Sequence, residues 1–198
     1  TAMPDGLADR RTEVAAELIL YAAEDLFRRR DAAPVGMNVI ATAAGCSRAT
    51  LYRYFENRDV LYTAYVHRET HRVFGAIGEQ LAGLTDPDER LVTGMLTAVQ
   101  RVRDTPALAS WFANTHRPIG GDMAAQSEVI AALAQGFLAT LGDTTGVEAR
   151  ARWVIRILVS LLLFPGRDAQ EERAMLESFV VPVVRPEHPV RQPSRRAP

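Results

Sequence analysis

The sequence predicts an all-α fold: a compact N-terminal group of three helices that contains a helix-turn-helix, followed by a larger helical region. Three observations predict it. Apolar residues recur three and four positions apart in segment after segment, and no stretch shows the alternation of a half-buried strand. Glycine, proline and aspartate clusters at 31–36, 85–88, 142–146 and 165–167 cut the chain between those segments. Residues 40–58, IATAAGCSRATLYRYFENR, carry the stop and start signals of two short helices joined by a tight turn.

Taken in order, residues 1–9 read as a small polar leader. Helix one is expected from Thr12 to Arg29, with Ala15, Ile19, Ala22 and Leu26 along one stripe, widened by Leu18 and Phe27. Arg28, Arg29 and Arg30 complement the negative end of its dipole, and Pro34 bars continuation. Helix two is expected over Met37 to Ala44 and helix three over Arg48 to Tyr54. Helix four, capped by Asn57, runs towards Leu84, although Gly75 and Gly78 weaken its second half. Another helix follows from Asp88 to Arg103, with Leu91, Met95, Ala98 and Val102 on one face. Thr105-Pro106 opens a short one that ends near Asn114, before a loop with His116, Pro118, Gly120 and Gly121. A long helix is expected from Met123 to Leu141, then one from Val147 to Phe164, and a last from Asp168 to about Val181. Residues 185–198, with four prolines, read as a disordered tail.

The segment 40–58 holds the most information. Ile40 and Ala41 begin the buried face of its first helix and Ala44 ends it. Gly45 suits the left-handed backbone of a helix C-terminus. Ser47 is placed as an N-cap for the second helix, where Leu51 and Phe55 face inward. Arg48, Ala49, Thr50, Tyr52, Arg53 and Tyr54 spread over the rest of that helix, the one a helix-turn-helix lays in the major groove.

Residues 11–65 resemble the DNA-binding domain of the TetR family of bacterial transcriptional regulators. Ile40, Ala41, Ala44, Gly45, Ser47, Thr50, Leu51, Tyr52 and Phe55 carry the resemblance, with Asn57-Arg58-Asp59 and Leu61 at the start of helix four. Cys46 departs from a common valine, and Gly36 from a common Thr or Ser cap. Neither disturbs the pattern, since cysteine packs as a small hydrophobe and glycine is a tolerable cap. The resemblance implies a helix-turn-helix domain over 10–56 and a helical ligand-binding and dimerisation domain over 57–184.

It also implies residue roles. Tyr54 and Arg58 are expected on phosphates, and Arg48, Ala49 and Thr50 on base edges, with Ser47 at the cap between them. Tyr52 and Arg53 have a blander alternative, one covering the domain core and the other solvated. Asn38 either meets the DNA backbone or holds the end of helix two, and Arg10 and Arg11 either form a minor-groove arm or are solvated. Phe74, Met95, Trp111, Phe112, His116 and Phe137, with Leu138, are expected around a ligand cavity, with Gln100, Arg103, Asn114 or His116 as polar anchors. Ile155, Leu158, Val159, Leu162, Met175 and Phe179 are expected at a homodimer interface. The partners implied are double-stranded operator DNA, a second copy of the chain, and a small apolar or amphipathic effector that releases a repressor from a palindromic site. An activator, or a regulator blind to ligand, fits the same residues.

Bulk composition adds bounds rather than identity. The chain has 198 residues, 47% of them hydrophobic and 24% charged, with a net charge of −1 that gives no blanket attraction to nucleic acid. All 23 basic residues are arginine. A single cysteine excludes an internal disulfide and suits a reducing compartment. Residues 1–13 lack the apolar core of a signal peptide, and the run Ile157 to Pro165 is too short to span a bilayer, so a cytoplasmic protein without membrane contact is expected. His67 and His71 stand four apart on helix four, a spacing that suits zinc, and a helical metal-dependent hydrolase is the alternative function. Their order, His-Arg-Glu-Thr-His, is not that of the metalloproteases and no third ligand follows, so no metal or cofactor is expected. Ser160 lacks the glycines of a nucleophile elbow. A purely helical interaction protein is the third reading.

Overall fold

A computed structural model describes residues 6–29, 35–112, 119–142 and 144–185. The expected tail (apart from Arg185), Asn114 and His116 lie outside them, as does the side chain of Arg11. Among the described residues every regular element is helical. The order is α1 (Gly6–Arg29), α2 (Met37–Ala43), α3 (Arg48–Tyr54), α4 (Arg58–Gln80), α5 (Pro87–Asp104) and α6 (Pro106–Ala109). Then come α7 (Ile119–Gln126), α8 (Glu128–Ala139), α9 (Val147–Leu163) and α10 (Ala169–Met175), which widens into a π-helical turn over Leu176–Val180 before α11 (Val181–Val184).

Side-chain caps start five of the helices. Ser47, Asn57, Asp86, Ser127 and Asp168 each accept a hydrogen bond from the amide three residues on. Two departures from the expected boundaries follow from such local chemistry. The helix expected from Met123 to Leu141 is two helices, because Ser127 leaves helical geometry to cap Ile130. Helix four stops at Gln80, and Gly83 takes a positive φ of 85° in the turn after it.

Two cores form. The first gathers Phe27 of α1, Ile40 of α2, Leu51 of α3, and Leu61 and Tyr65 of α4 around Trp111, which follows α6. Edge-to-face contacts join Phe27 to Tyr62, Tyr65 and Trp111 at 5.1, 5.1 and 5.4 Å between ring centroids. This core therefore draws on both sides of residue 56. The second packs Leu91, Val92 and Met95 of α5 against Leu138, Ala151 and Leu176. Along α1 the buried stripe is Ile19, Leu20, Ala23 and Phe27, while Leu18 is 62% exposed, which corrects the expected stripe.

Candidate nucleic-acid interface and buried cavity

The turn between α2 and α3 is fixed by backbone chemistry. Gly45 has φ 66°, its amide donates to the Thr42 carbonyl at 3.2 Å, and the Cys46 amide donates to the Ala41 carbonyl at 3.0 Å. These are the paired bonds of a Schellman stop, which a residue with a Cβ would strain. Two residues later Ser47 caps α3: its Oγ accepts from the Thr50 amide at 3.0 Å and lies 2.9 Å from Thr50 Oγ1. Buried Leu51 and Phe55 anchor the helix beneath, so its opposite face is held at a set angle to the domain.

On that face Ser47, Arg48, Ala49, Tyr52 and Arg53 are exposed, and Asn38 is exposed on α2. Thr50 is half-buried, with its hydroxyl 2.9 Å from Ser47 Oγ at the cap. Tyr54 is also half-buried; Arg53 sits over its ring at 5.2 Å and one guanidinium nitrogen approaches its hydroxyl at 3.4 Å. Arg58, in the first turn of α4, lies over the Tyr62 ring at 5.5 Å, and the Tyr62 hydroxyl donates to the Val35 carbonyl at 2.7 Å. Of the expected DNA-facing residues, Thr50 and Tyr54 are thus half-buried and the others are exposed. Cys46 is half-buried beside the turn.

A cavity of about 130 Å³ lies between α4, α5, α7 and α9 and the segment around Trp111. Phe74, Trp111 and Phe112 line it, as expected, together with Val66, Val73, Val99, Met123 and Ile130. Met95 and Phe137 do not: both belong to the second core, where the Phe137 ring packs onto Gly94. Of the proposed polar anchors, Gln100 is turned outward to Asp104 at 2.7 Å and Arg103 is spent on Glu172. The polar side chains that do line the wall are Glu69 and Thr70, which the sequence reading missed, and the indole of Trp111.

Glu69 is 4% exposed, and its Oε1 accepts from Arg68 Nε at 3.0 Å and Arg72 at 2.7 Å. Arg68 also reaches Glu24 of α1 at 2.5 Å, so the same charge cluster ties the cavity wall to the first helix. Burial, then Glu69 and Glu24, pushes the Tyr65 phenol far above its ordinary range.

Ile155, Leu158, Val159 and Leu162 of α9, expected between subunits, line the cavity; Ile155 is buried and the other three are half-buried. From α9 to α11 the large apolar side chains left uncovered are Trp153, Phe164, Met175, Phe179 and Val183, with Phe164 75% and Phe179 70% exposed. Met175 and Phe179 are thus exposed as the interface reading requires. The wide turn at 176–180 keeps Leu176, Val180 and Val184 buried while Phe179 and Val183 stand outside. His67 approaches Ser127 Oγ at 3.5 Å, and no cluster of three or more metal-ligating side chains occurs among the described residues. No helix among them is long and apolar enough to cross a membrane.

Comparison with known proteins bears on this arrangement. The family described as "Bacterial regulatory proteins, tetR family" matches residues 19–65, the segment that builds the helix-turn-helix. An uncharacterized HTH-type transcriptional regulator of Mycobacterium tuberculosis, Rv1255c, is 60% identical over 184 residues, covering 92% of this chain and 91% of its own. Among solved structures, Thermus thermophilus FadR, a TetR family transcriptional repressor in complex with lauroyl-CoA, superposes with a TM-score of 0.62 at 22% identity over 92% of this chain and 98% of its own. The TetR family repressor AlkX from a Dietzia species gives a TM-score of 0.61 at 22% identity over 85% and 94%. The chain therefore belongs to the TetR family of bacterial regulatory proteins, and it is a DNA-binding transcriptional regulator, not an enzyme.

Proposed function

We propose that this regulator is a repressor that binds a palindromic operator as a homodimer and leaves it when a small molecule occupies the cavity. The cavity carries the reading: an apolar space walled by α4, the helix that also begins directly after the recognition helix. A change in the tilt of α4 at Val66, Val73 and Phe74 is felt at Arg58 and Tyr62, about one to four turns away on the same rigid element. The exposed apolar row on α9 to α11 supports the dimer, since one recognition helix reads only a half-site. Two recognition helices must then match major grooves ~34–36 Å apart, or a multiple of that turn. The effector releases DNA only if it binds the non-matching conformation more tightly.

The test is selection of bound duplexes from a random DNA pool without added ligand at near-physiological salt. A palindromic site is the expected product. On that site Arg48→Ala should relax base preference, while Arg58→Ala should weaken all sequences alike. Recovery of nothing above background would overturn the repressor assignment.

A further inference from the structure

We infer that Glu24 and Arg68, together with Glu69 and Arg72, are positioning residues for DNA reading. They form a charged latch between α1 and α4 that sets the angle at which the recognition helix is presented. The effect on operator affinity rests on the operator reading above; the latch itself does not.

The latch is a closed network across two helices. Arg68, its side chain 10% exposed, reaches Glu24 at 2.5 Å and Glu17 at 3.5 Å on α1, and Glu69 at 3.0 Å on its own helix. One turn on, Arg72 reaches Glu69 at 2.7 Å and Glu24 at 3.7 Å. Glu24 is therefore the α1 carboxylate that both arginines share. Tyr21 of α1 adds its ring, 4.8 Å from the Arg68 guanidinium and 5.8 Å from that of Arg72.

Three grounds give this network a role beyond holding charge. Direction is the first. Phe27 meets Tyr62 and Tyr65 through apolar surface, whose burial is non-directional. Charge-assisted bonds to a planar guanidinium fix both distance and orientation, so they select one register of α1 on α4. Burial is the second: the Glu24 side chain is 16% exposed and Glu69 lies in the cavity wall, where an unpaired charge is costly and the network holds as a unit. Place is the third. Arg68 follows Arg58 by ten residues, about 15 Å along α4, so a small change of angle at the latch is carried by that lever to the recognition helix directly before α4. Loss of a carboxylate by itself strengthens attraction to DNA. A fall in operator affinity in Glu24→Gln therefore reports position, not charge.

Two readouts on the full chain test this. Nitroxides at Glu56→Cys, between α3 and α4, and at Ala139→Cys, at the end of α8, give the distance between the reading head and the second domain by pulsed electron resonance. Both sites are exposed; the background is Cys46→Ala, and labelled chain is diluted with unlabelled chain so that distances within one chain are read. Operator affinity is measured by fluorescence anisotropy on the site recovered by duplex selection. Glu24→Gln should broaden or shift the distance and weaken operator binding about three- to tenfold, as the reading-competent fraction falls by that factor. Glu24→Asp should recover part of both. Combined with Arg68→Gln, Glu24→Gln should cost less than the two single changes summed. Arg72→Gln cuts the same network at its more exposed end and serves if Glu24→Gln does not fold. Glu172→Gln, which breaks a buried pair within the second domain, and Asp25→Asn, in an exposed pair within α1, should leave the distance unchanged. An unchanged distance in Glu24→Gln and Arg72→Gln, an equal change in Glu172→Gln, or operator affinity that holds or rises despite a changed distance would overturn the inference. Duplex selection that yields no site, with the distance changed, would count against the operator reading alone.

Discussion

Glu172 offers the sharpest test of how the second domain is held together. Its carboxylate is 4% exposed and accepts two bonds from Arg103, at 2.9 and 2.7 Å, and one from the Gly166 amide at 2.9 Å. Arg103 in turn donates to the Leu161 carbonyl at 2.9 Å, so one ion pair fastens α5, the end of α9, the turn after it and α10. Glu172→Gln keeps the shape but removes the charge and sets an amide donor against a guanidinium. Removing one partner of a buried pair costs about 3–5 kcal/mol. The Arg103 side chain is 30% exposed and regains some hydration, which lowers the expected loss to about 2–4 kcal/mol. In a chain of this length that is roughly 4–16 °C in Tm.

The pH dependence supplies a second arm. Hydrogen bonds from Arg103, then that from Gly166, hold the Glu172 carboxyl below its ordinary value of 4.5. A carboxyl depressed by folding adds stability in full above its unfolded value and loses it as pH falls through the lower folded value. Urea unfolding from pH 7 to pH 3 should therefore show a steeper acid decline in the native chain than in Glu172→Gln. Parallel acid limbs, or a loss below about 0.5 kcal/mol at pH 7, would refute the assignment of this pair as a fastening point.

Three further outcomes follow from features described above. Ser47→Ala removes the cap of α3 and should cost about 1 kcal/mol in urea unfolding, with a matching loss in operator affinity; unchanged stability would show that the cap is idle. Gly94→Ala places a Cβ 2.8 Å from the Phe137 ring, so overpacking of about 1–3 kcal/mol should exceed the ~1 kcal/mol gain in helix propensity and lower Tm by a few degrees; a higher Tm would mean the ring moves freely aside. Phe179→Glu should yield monomers in sedimentation velocity with an intact helical spectrum, and a persisting dimer would move the interface elsewhere.

The reading head was legible because its signals are local. A glycine stop, a serine cap and an inward pair four residues apart are all set within about twelve positions of chain, and α3 spans Arg48–Tyr54 as the sequence predicts. The cavity was legible only through its aromatic residues. Glu69, flanked by arginines one position before and three after it, reads as part of a solvated helix face; it is buried because Glu24, forty-five residues upstream, shares those arginines. The part of α9 in the cavity wall was hidden for a similar reason. Leu158 and Trp153 are equally apolar in sequence, and only the placement of α7 and α8 decides which of them meets a neighbour. The break at Ser127 was hidden because alanine-rich sequence on both sides favours helix, so one side-chain cap decided the outcome.

Trp111 lies more than fifty residues beyond the recognition helix, yet its ring closes the aromatic cluster around Phe27 and Tyr65 and also forms part of the cavity wall. The DNA-reading half is therefore not a detachable module. A fragment ending at residue 56 would lack Leu61, Tyr65 and Trp111 and leave the ring of Phe27 bare to water. Heat or denaturant should dissolve the reader and the chamber in a single cooperative step, and a sequence change that reshapes the chamber at Trp111 also alters the reader's own stability.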